Sequence, residues 1–256
     1  MSLATCAEIV QRGDPDRFLS AMAAPIEARS VLLPLYAFNV EVARLPWISP
    51  EPMICEMRLQ WWRDTLARIG DGETVAAHDV AAPLARVVHD RHVPMDVLDR
   101  LVVARQWDIY RDPFENDAAL HDYIDATAAG LTWAAALALG APADGEPAIR
   151  DAGWAAGLAT YLRAVPELTA RGRKPLPNAQ PEAVAQLARL GLNRLKAARR
   201  AEIPRAAYPA LRAGWRAGET LSRAHKAPIR VPQGSLAESE FSRRAGLMWR
   251  TALGRW

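Results

Sequence analysis

LHDYIDATAAGL, residues 120–131, gives the clearest indication of the fold class. Its larger apolar side chains recur every three or four residues, as at Leu120, Tyr123 and Ile124, which is the period of an α-helix with one buried face. The charge-free segment 126–143 that continues it consists mostly of alanine and is too weakly apolar to predict a membrane span. The sequence here therefore predicts a closely packed interior helix.

The same helical spacing continues through nearly the whole chain. No glycine–asparagine turn separates alternating apolar runs, as a β-hairpin would require. Clusters of proline, glycine and capping residues divide the pattern into about ten helices, and Ser235 with Glu238 predicts a capping box before the last one. The prediction is one all-α domain over residues 1–256, with the arginine- and proline-rich loop Pro166 to Pro181 as the best candidate for an internal boundary.

Composition excludes several classes of protein. Half of the 256 residues are hydrophobic and nine are tryptophan, which is enough for a large core. The net charge is only +3, and basic residues alternate with acidic ones, which argues against nucleic-acid binding. Cys6 and Cys55 form no CxxC pair, and Met1 to Asp14 shows no signal-peptide pattern, so we predict a reducing, cytoplasmic location. Arginine outnumbers lysine 29 to 3, which indicates a GC-rich, bacterial source.

Three segments resemble the squalene/phytoene synthase family, in the family's own order. Arg29–Phe38 is similar to the lead-in to the first aspartate-rich motif, and Tyr123–Gly130 is similar to the helix that lines the substrate cavity. Gly157–Pro177 follows the frame of the second aspartate-rich motif and of the arginine and Leu-Pro that come after it. The resemblance covers roughly residues 14 to 180 and implies an isoprenoid-synthase-like helical array.

The aspartates themselves are missing. The family ionises a prenyl diphosphate, and its carboxylates, one helical turn apart, hold the Mg²⁺ ions that neutralise the leaving group. None of the residues at the corresponding positions can ligate magnesium. These are Ala43, Arg44 and Trp47 in the first motif and Ala164 and Leu168 in the second. The resemblance therefore implies a non-catalytic protein without catalytic residues, metal or cofactor, with Mg²⁺ required only if the chain is still an enzyme.

A narrower resemblance concerns the branch of this family that contains a mitochondrial complex I assembly factor. Four segments are similar to that branch: Ala37–Ala43, Met57–Asp64, Ala104–Tyr110 and Leu162–Pro166. They imply an assembly or scaffold factor for a respiratory complex. Its partner would be a subunit or an assembly intermediate, met in the cytoplasm or at the inner face of the membrane.

Three polar residues are candidates for a remnant polar site where the first motif stood: Asn39, Glu41 and Asp108. The alternative is that they are buried residues that fix helix packing, and Arg105 lies three positions before Asp108, where the two can pair. Other candidates could bind an anionic headgroup or a phosphate, or could instead be salt-bridged or solvated. They are Arg58, Arg163, Arg171 and Arg173. The five histidines form no metal-ligand motif.

Two other functions compete with the assembly role. The former prenyl channel could bind an isoprenoid or a lipid without reacting it, or the chain could be an active prenyl diphosphate transferase with Glu41, Asp108 and Glu167 as atypical ligands. Membrane contact is predicted to be peripheral at most. Its candidate surface is the apolar stripe of the last helix, which could equally pack on its own domain. The stripe consists of Phe241, Ala245, Met248, Ala252 and Trp256.

Overall fold

A computed structural model describes residues 3–75 and 77–256, and over these residues the chain contains helices and no β-strand. The predicted all-α class is confirmed. The helices are α1 (Leu3–Gly13), α2 (Pro15–Met22), α3 (Ile26–Arg44), α4 (Pro52–Gly70), α5 (Ala81–Arg91), α6 (Met95–Ala104), α7 (Asp117–Ile124), α8 (Gly130–Ala138), α9 (Glu146–Ala170), α10 (Pro181–Arg200), α11 (Tyr208–Leu211), α12 (Ala217–Lys226) and α13 (Glu240–Ala252).

The predicted interior helix lies at the centre of the array. A π-helical turn, Asp125–Ala129, joins α7 to α8, so the chain is helical without a break across this region. Nearly every residue of α8 is buried. In the π-turn, the hydroxyl of Thr127 donates to the carbonyl oxygen of Tyr123 at 2.6 Å, which gives the irregular backbone a side-chain partner. The charge-free composition of this segment is therefore explained by burial.

Helix α9 packs unusually close to this central run because two of its glycines face it. A methyl group on Gly157 would lie 2.3 Å from the Cβ atom of Ala128, and one on Gly153 would lie 2.9 Å from the backbone of Ala129. Real Cβ atoms do not approach so closely. The i, i+4 spacing of the two glycines places both on the face that meets the π-turn.

We expect Gly157→Ala to lower the free energy of unfolding by about 1–3 kcal/mol, because the added methyl group overpacks this contact. Urea titration followed by circular dichroism measures the change. Gly246→Ala in α13 is the matched control, since its new methyl group would come no nearer than 3.5 Å to another residue. The control is expected to be neutral or to gain up to about 1 kcal/mol from helix propensity. Equal effects at both positions would contradict the close-packing explanation.

Two boundary predictions were wrong. Helix α9 continues through Pro166, and the loop is confined to residues 171–180, because the neighbouring side chains Leu162 and Val165 are buried and outweigh the hydrogen bond that proline cannot donate. The N-cap of α13 is Ser239, whose hydroxyl accepts from the backbone N–H of Ser242 at 3.2 Å. The predicted cap with Ser235 does not form, since Glu238 instead turns inwards towards Arg216.

Candidate functional site

A cavity of about 260 Å³ lies between α3, α7, α9 and the 3₁₀ turn Arg105–Asp108 that follows α6. Four of the five positions at which the resemblance places magnesium-binding aspartates line it: Ala43, Trp47, Ala164 and Leu168. The two motif frames, more than 100 residues apart in sequence, therefore converge on one chamber. The side chains that they bring there are apolar.

The fifth position, Arg44, faces a different pocket. Adjacent helix residues are about 100° apart around the axis, so Arg44 is turned away from the chamber that its neighbour Ala43 lines. The first motif's frame is thus split between two sides of α3. The chamber contains no carboxylate from either motif.

Asp108 is the one carboxylate among the described residues that line the chamber, and its side chain is held in a buried network. Its Oδ2 atom accepts from a guanidinium nitrogen of Arg105 at 3.1 Å and from the hydroxyl of Tyr123 at 2.8 Å. Arg105 also donates to that hydroxyl at 2.6 Å. Burial opposes the charge on Arg105, but the electrostatic effects and hydrogen bonds of Tyr123 and Asp108 outweigh it and raise the pKa of Arg105. Burial raises the pKa of Tyr123 well above its usual range.

Arg173 holds the turn that carries Asp108. Its guanidinium donates to the carbonyl oxygens of Trp107 at 3.4 Å and Tyr110 at 2.6 Å, and also to that of Asp108. It lies 4.7 Å from the ring centre of Trp47. The side chain is buried. These backbone contacts occupy the donors that the sequence assigned to an anion, so Arg173 acts as a structural cap on the 3₁₀ turn.

Arg171 lies at the surface beside the same tryptophan. It pairs with Glu167 at 2.5 Å, one helical turn away, and its guanidinium lies 4.6 Å from the ring centre of Trp47. The pair is about half exposed, so its carboxylate partner can yield to another anion at little cost. Of the four arginine candidates, Arg171 lies nearest to the chamber with its charge still accessible.

The structure brings Asn39 and Asp108 to the same chamber but separates Glu41 from them. Residues two apart on a helix point to nearly opposite sides, so Asn39 and Glu41 cannot share a site. Glu41 instead lines a second pocket of about 310 Å³ with Arg44, Arg58 and His78. Of the three predicted polar residues, Asn39 and Asp108 therefore share a chamber and Glu41 does not.

The second pocket is aromatic and electrostatically mixed. The rings of Trp61 and Trp62 meet edge to face with centres 5.1 Å apart, and both contact His78. Burial, with the charge of Asp79, raises the pKa of Glu41 to about 7 against the opposing effect of nearby Arg44. Burial lowers the pKa of His78, so its 3.7 Å contact with Glu41 is not an ion pair near pH 7.

The raised pKa of Glu41 predicts a pH-dependent stability. Folding favours the protonated form, so the contribution of Glu41 is complete below its ordinary pKa of 4.5 and is lost as the pH rises towards 7. We expect wild-type protein to lose about 2–3 kcal/mol relative to Glu41→Gln between pH 4.5 and 7.5. Urea unfolding of both proteins across this range measures it. Parallel stability curves for the two proteins would contradict the prediction.

Arg163 belongs to a charge cluster that the sequence did not reveal. Three guanidiniums converge on Asp16: those of Arg163 at 3.0 Å, Arg216 at 2.7 Å and Arg243 at 3.0 Å. Burial alone would raise the pKa of Asp16, but the hydrogen bond from Arg216 and the charges of Arg163 and Arg216 lower it. Arg163 is thus an internal partner of Asp16 in this structure. No local pattern could have found the cluster, since its members lie up to 227 residues apart.

Known proteins share both the sequence pattern and the helical fold of this chain. A sequence model of the squalene/phytoene synthase family matches residues 10–238. The chain belongs to the squalene/phytoene synthase family. Two solved structures have the same fold as this chain. One is a dehydrosqualene synthase in complex with ligand (TM-score 0.73, 19% identity), and the other is the squalene synthase HpnC from Alicyclobacillus acidocaldarius (TM-score 0.63, 17% identity). Each alignment covers 98% of this chain, with 95% and 94% of the other, so the predicted isoprenoid-synthase-like fold is confirmed.

Proteins that are similar in sequence are named as assembly factors and not as synthases. The chain is 31% identical over 180 residues to the complex I assembly factor 6 homolog of Drosophila melanogaster, covering 66% of this chain. It is 28% identical over 173 residues to complex I assembly factor 6 of Bos taurus and of Homo sapiens, covering 67% of this chain. Each alignment covers 52% of the relative, so the chain spans about half the length of these proteins.

The residues of the chamber do not fit the magnesium cluster that the synthase fold implies. Among residues 3–75 and 77–256, no three His, Cys, Asp or Glu side chains come close enough to hold a metal ion. The chamber offers one carboxylate, already bound to Arg105 and Tyr123. In the same described ranges, no helix has both the length and the apolar character needed to cross a bilayer.

Proposed function

We propose that this chain is a non-catalytic member of the family that acts as an assembly factor for a respiratory complex of the complex I type. One observation carries the proposal: Ala43, Trp47, Ala164 and Leu168 meet at the chamber where carboxylates would be needed. The names of its relatives from fly, cattle and human support the assembly role.

The electrostatics of the chamber argue against prenyl transfer. A departing diphosphate develops several negative charges, which magnesium ions neutralise when carboxylates hold them in place. Glu41 and Glu167, named above as atypical ligands, do not line the chamber that Asp108 lines. Of the three proposed ligands only Asp108 lies there, and a single carboxylate does not make such a site.

The protein partner would bind the apolar patch that Ile48 forms with the first turns of α4. Ile48, Met53, Ile54 and Met57 are exposed there, and Met57 begins the segment Met57–Asp64 that is similar to the assembly-factor branch. Contiguous exposed apolar side chains mark interaction surfaces. We propose that a subunit or an assembly intermediate of the complex covers this patch.

A deletion strain of the source organism tests the assembly role. We expect loss of the assembled complex on blue native gels and loss of NADH:quinone oxidoreductase activity, both restored by the wild-type gene. The Met53→Ser/Met57→Ser variant should fold but fail to restore them. Purified protein with farnesyl or geranylgeranyl diphosphate and Mg²⁺ should release no pyrophosphate. Normal complex I in the deletion strain, or metal-dependent turnover in the assay, would refute the proposal.

Binding of an isoprenoid segment is the second candidate function, favoured by the lining of the chamber. Its walls include Ile124, Thr127, Ala128, Gly157 and Leu168, which suit a hydrocarbon chain. Its volume of about 260 Å³ lies just below the ~300–1,000 Å³ typical of ligand pockets, so it suits a short segment. Native mass spectrometry of the purified protein tests this function. Ala164→Leu, which fills the chamber, should abolish any bound isoprenoid mass, and an unchanged adduct would exclude the chamber as its site.

A further inference from the structure

Helix α13 turns an apolar face towards solvent. Phe241 is 82% exposed, Met248 71% and Trp249 67%, and Leu253 is also exposed. At about 100° per residue these four side chains fall within an arc of about 140°. Leu247, on the opposite side, is buried against the domain. Of the stripe predicted from sequence, Phe241, Met248 and Ala252 therefore do not pack on their own domain, whereas Ala245 and Trp256 are half-buried.

A basic cleft of about 610 Å³ borders this face. Its lining includes Trp249 and Leu253, the aromatic residues Tyr208 and Trp256, Gly254, and four arginines: Arg199, Arg205, Arg250 and Arg255. No Asp or Glu side chain among the described residues lines the cleft. Burial and, after it, the nearby charge of Arg250 lower the pKa of Arg199, so the two guanidiniums oppose each other in the cleft. The one acidic residue of α13, Glu240, is already paired with Arg243 and Arg244.

We propose that α13 and the basic cleft dock the protein onto an anionic lipid bilayer. The arginines would bind phosphate headgroups while Phe241, Met248 and Trp249 enter the boundary with the acyl chains. An amphipathic helix with an apolar face and flanking arginines binds membranes in this way, with its axis in the plane of the interface. Each arginine near an anionic surface contributes about 1 kcal/mol.

Electrostatic complementarity favours a lipid surface as the partner of α13 and the basic cleft. A second copy of the chain would present the same four arginines, and like charges would oppose its approach. The apolar patch on α4 differs, because its charge is mixed: the acidic residues Glu51 and Glu56 and the basic residue Arg58 are all exposed beside it. The two surfaces therefore have different chemistry, and only the α13 surface complements a bilayer of negative charge.

Vesicle flotation with the full chain tests the proposal. We expect binding to vesicles of phosphatidylglycerol and phosphatidylcholine in equal parts, none to pure phosphatidylcholine, and weaker binding at 0.5 M than at 0.05 M NaCl because salt screens the attraction. Arg205→Ala/Arg255→Ala should weaken binding about 30-fold, the equivalent of two arginine contacts. Met248→Ser/Trp249→Ser should abolish it, with helicity and the urea midpoint unchanged.

The matched control is Met53→Ser/Met57→Ser, which removes exposed apolar side chains from the other surface. It should bind vesicles like the wild type while failing to restore the respiratory complex, so the two proposals can fail separately. Equal binding to neutral and anionic vesicles would overturn the docking proposal. So would loss of binding in the α4 control with retention in both the cleft variant and the α13 variant, or no flotation of the wild type at 0.05 M NaCl.

Discussion

Replacing Asp16 with alanine is expected to lower the free energy of unfolding by about 3–5 kcal/mol, the cost of removing one partner from a buried ion pair. Its carboxylate is the shared acceptor of Arg163, Arg216 and Arg243, none of which exposes more than 23% of its side chain. Without Asp16, three guanidiniums would repel one another in a poorly solvated space. Glu238 lies 3.9 Å from Arg216 and Glu240 lies 2.9 Å from Arg243, so the loss of Asp16 would remove the carboxylate that neutralises Arg163 and weaken the pairing of the other two.

Urea unfolding at pH 7 measures this change, and Asp99→Ala provides the matched control. Asp99 pairs with Arg63 at 2.7 Å, but both side chains are more than a third exposed, so its loss should cost less than about 1 kcal/mol. Similar losses for the two variants would show that Asp16 is an ordinary surface acid.

The pH dependence gives a second test of Asp16. Because its pKa is lowered on folding, its contribution is complete above the ordinary value of 3.8 and is lost as the pH falls through the folded value. The stabilities of wild type and Asp16→Ala should therefore differ at pH 7 and converge in strong acid. A difference that persisted undiminished to the lowest pH would indicate lost packing instead of lost charge.

The sequence was sufficient to predict the helices from regular spacing, whereas the chamber was predicted from the resemblance that places these positions in the family's two motif frames. A frame of residues one turn apart fixes which side chains share a helix face, and so Ala43 with Trp47 and Ala164 with Leu168 line one cavity. The same rule would have separated Asn39 from Glu41, since residues two apart do not share a face. The separation of Asn39 from Glu41 is therefore a property that the sequence spacing alone predicts.

The Asp16 cluster and the role of Arg173 could not be predicted in this way. Both depend on where distant elements meet: Arg243 contacts Asp16 across 227 positions, and Arg173 caps carbonyl groups more than 60 residues earlier. The sequence pattern of arginines in a basic loop is the same as that of arginines in a buried network. What distinguishes them is the packing of α9, α13 and the turn before α12 around α2, and that of the Arg173 loop on the 3₁₀ turn after α6.

Asp108→Ala is expected to destabilise the protein by about 3–5 kcal/mol, because it leaves the buried guanidinium of Arg105 without its carboxylate. The triple variant Arg105→Met/Asp108→Leu/Tyr123→Phe replaces the whole network by apolar groups of similar size. It should recover most of that loss, since no buried charge or hydroxyl is then left unpaired. Urea unfolding of the wild type and both variants measures the two effects.

Complementation of the deletion strain by the triple variant then separates the two roles that remain for Asp108. If the carboxylate serves only to hold the 3₁₀ turn against α7, the stable triple variant should restore the respiratory complex as the wild type does. If Asp108 binds a ligand or a metal in the chamber, the triple variant should fold but fail to restore the respiratory complex. We expect restoration, because the Oδ2 atom of Asp108 already accepts hydrogen bonds from both Arg105 and Tyr123, and a residue so bound is part of the scaffold. A folded triple variant that fails to complement would contradict this expectation and would show that Asp108 has a functional role in the chamber.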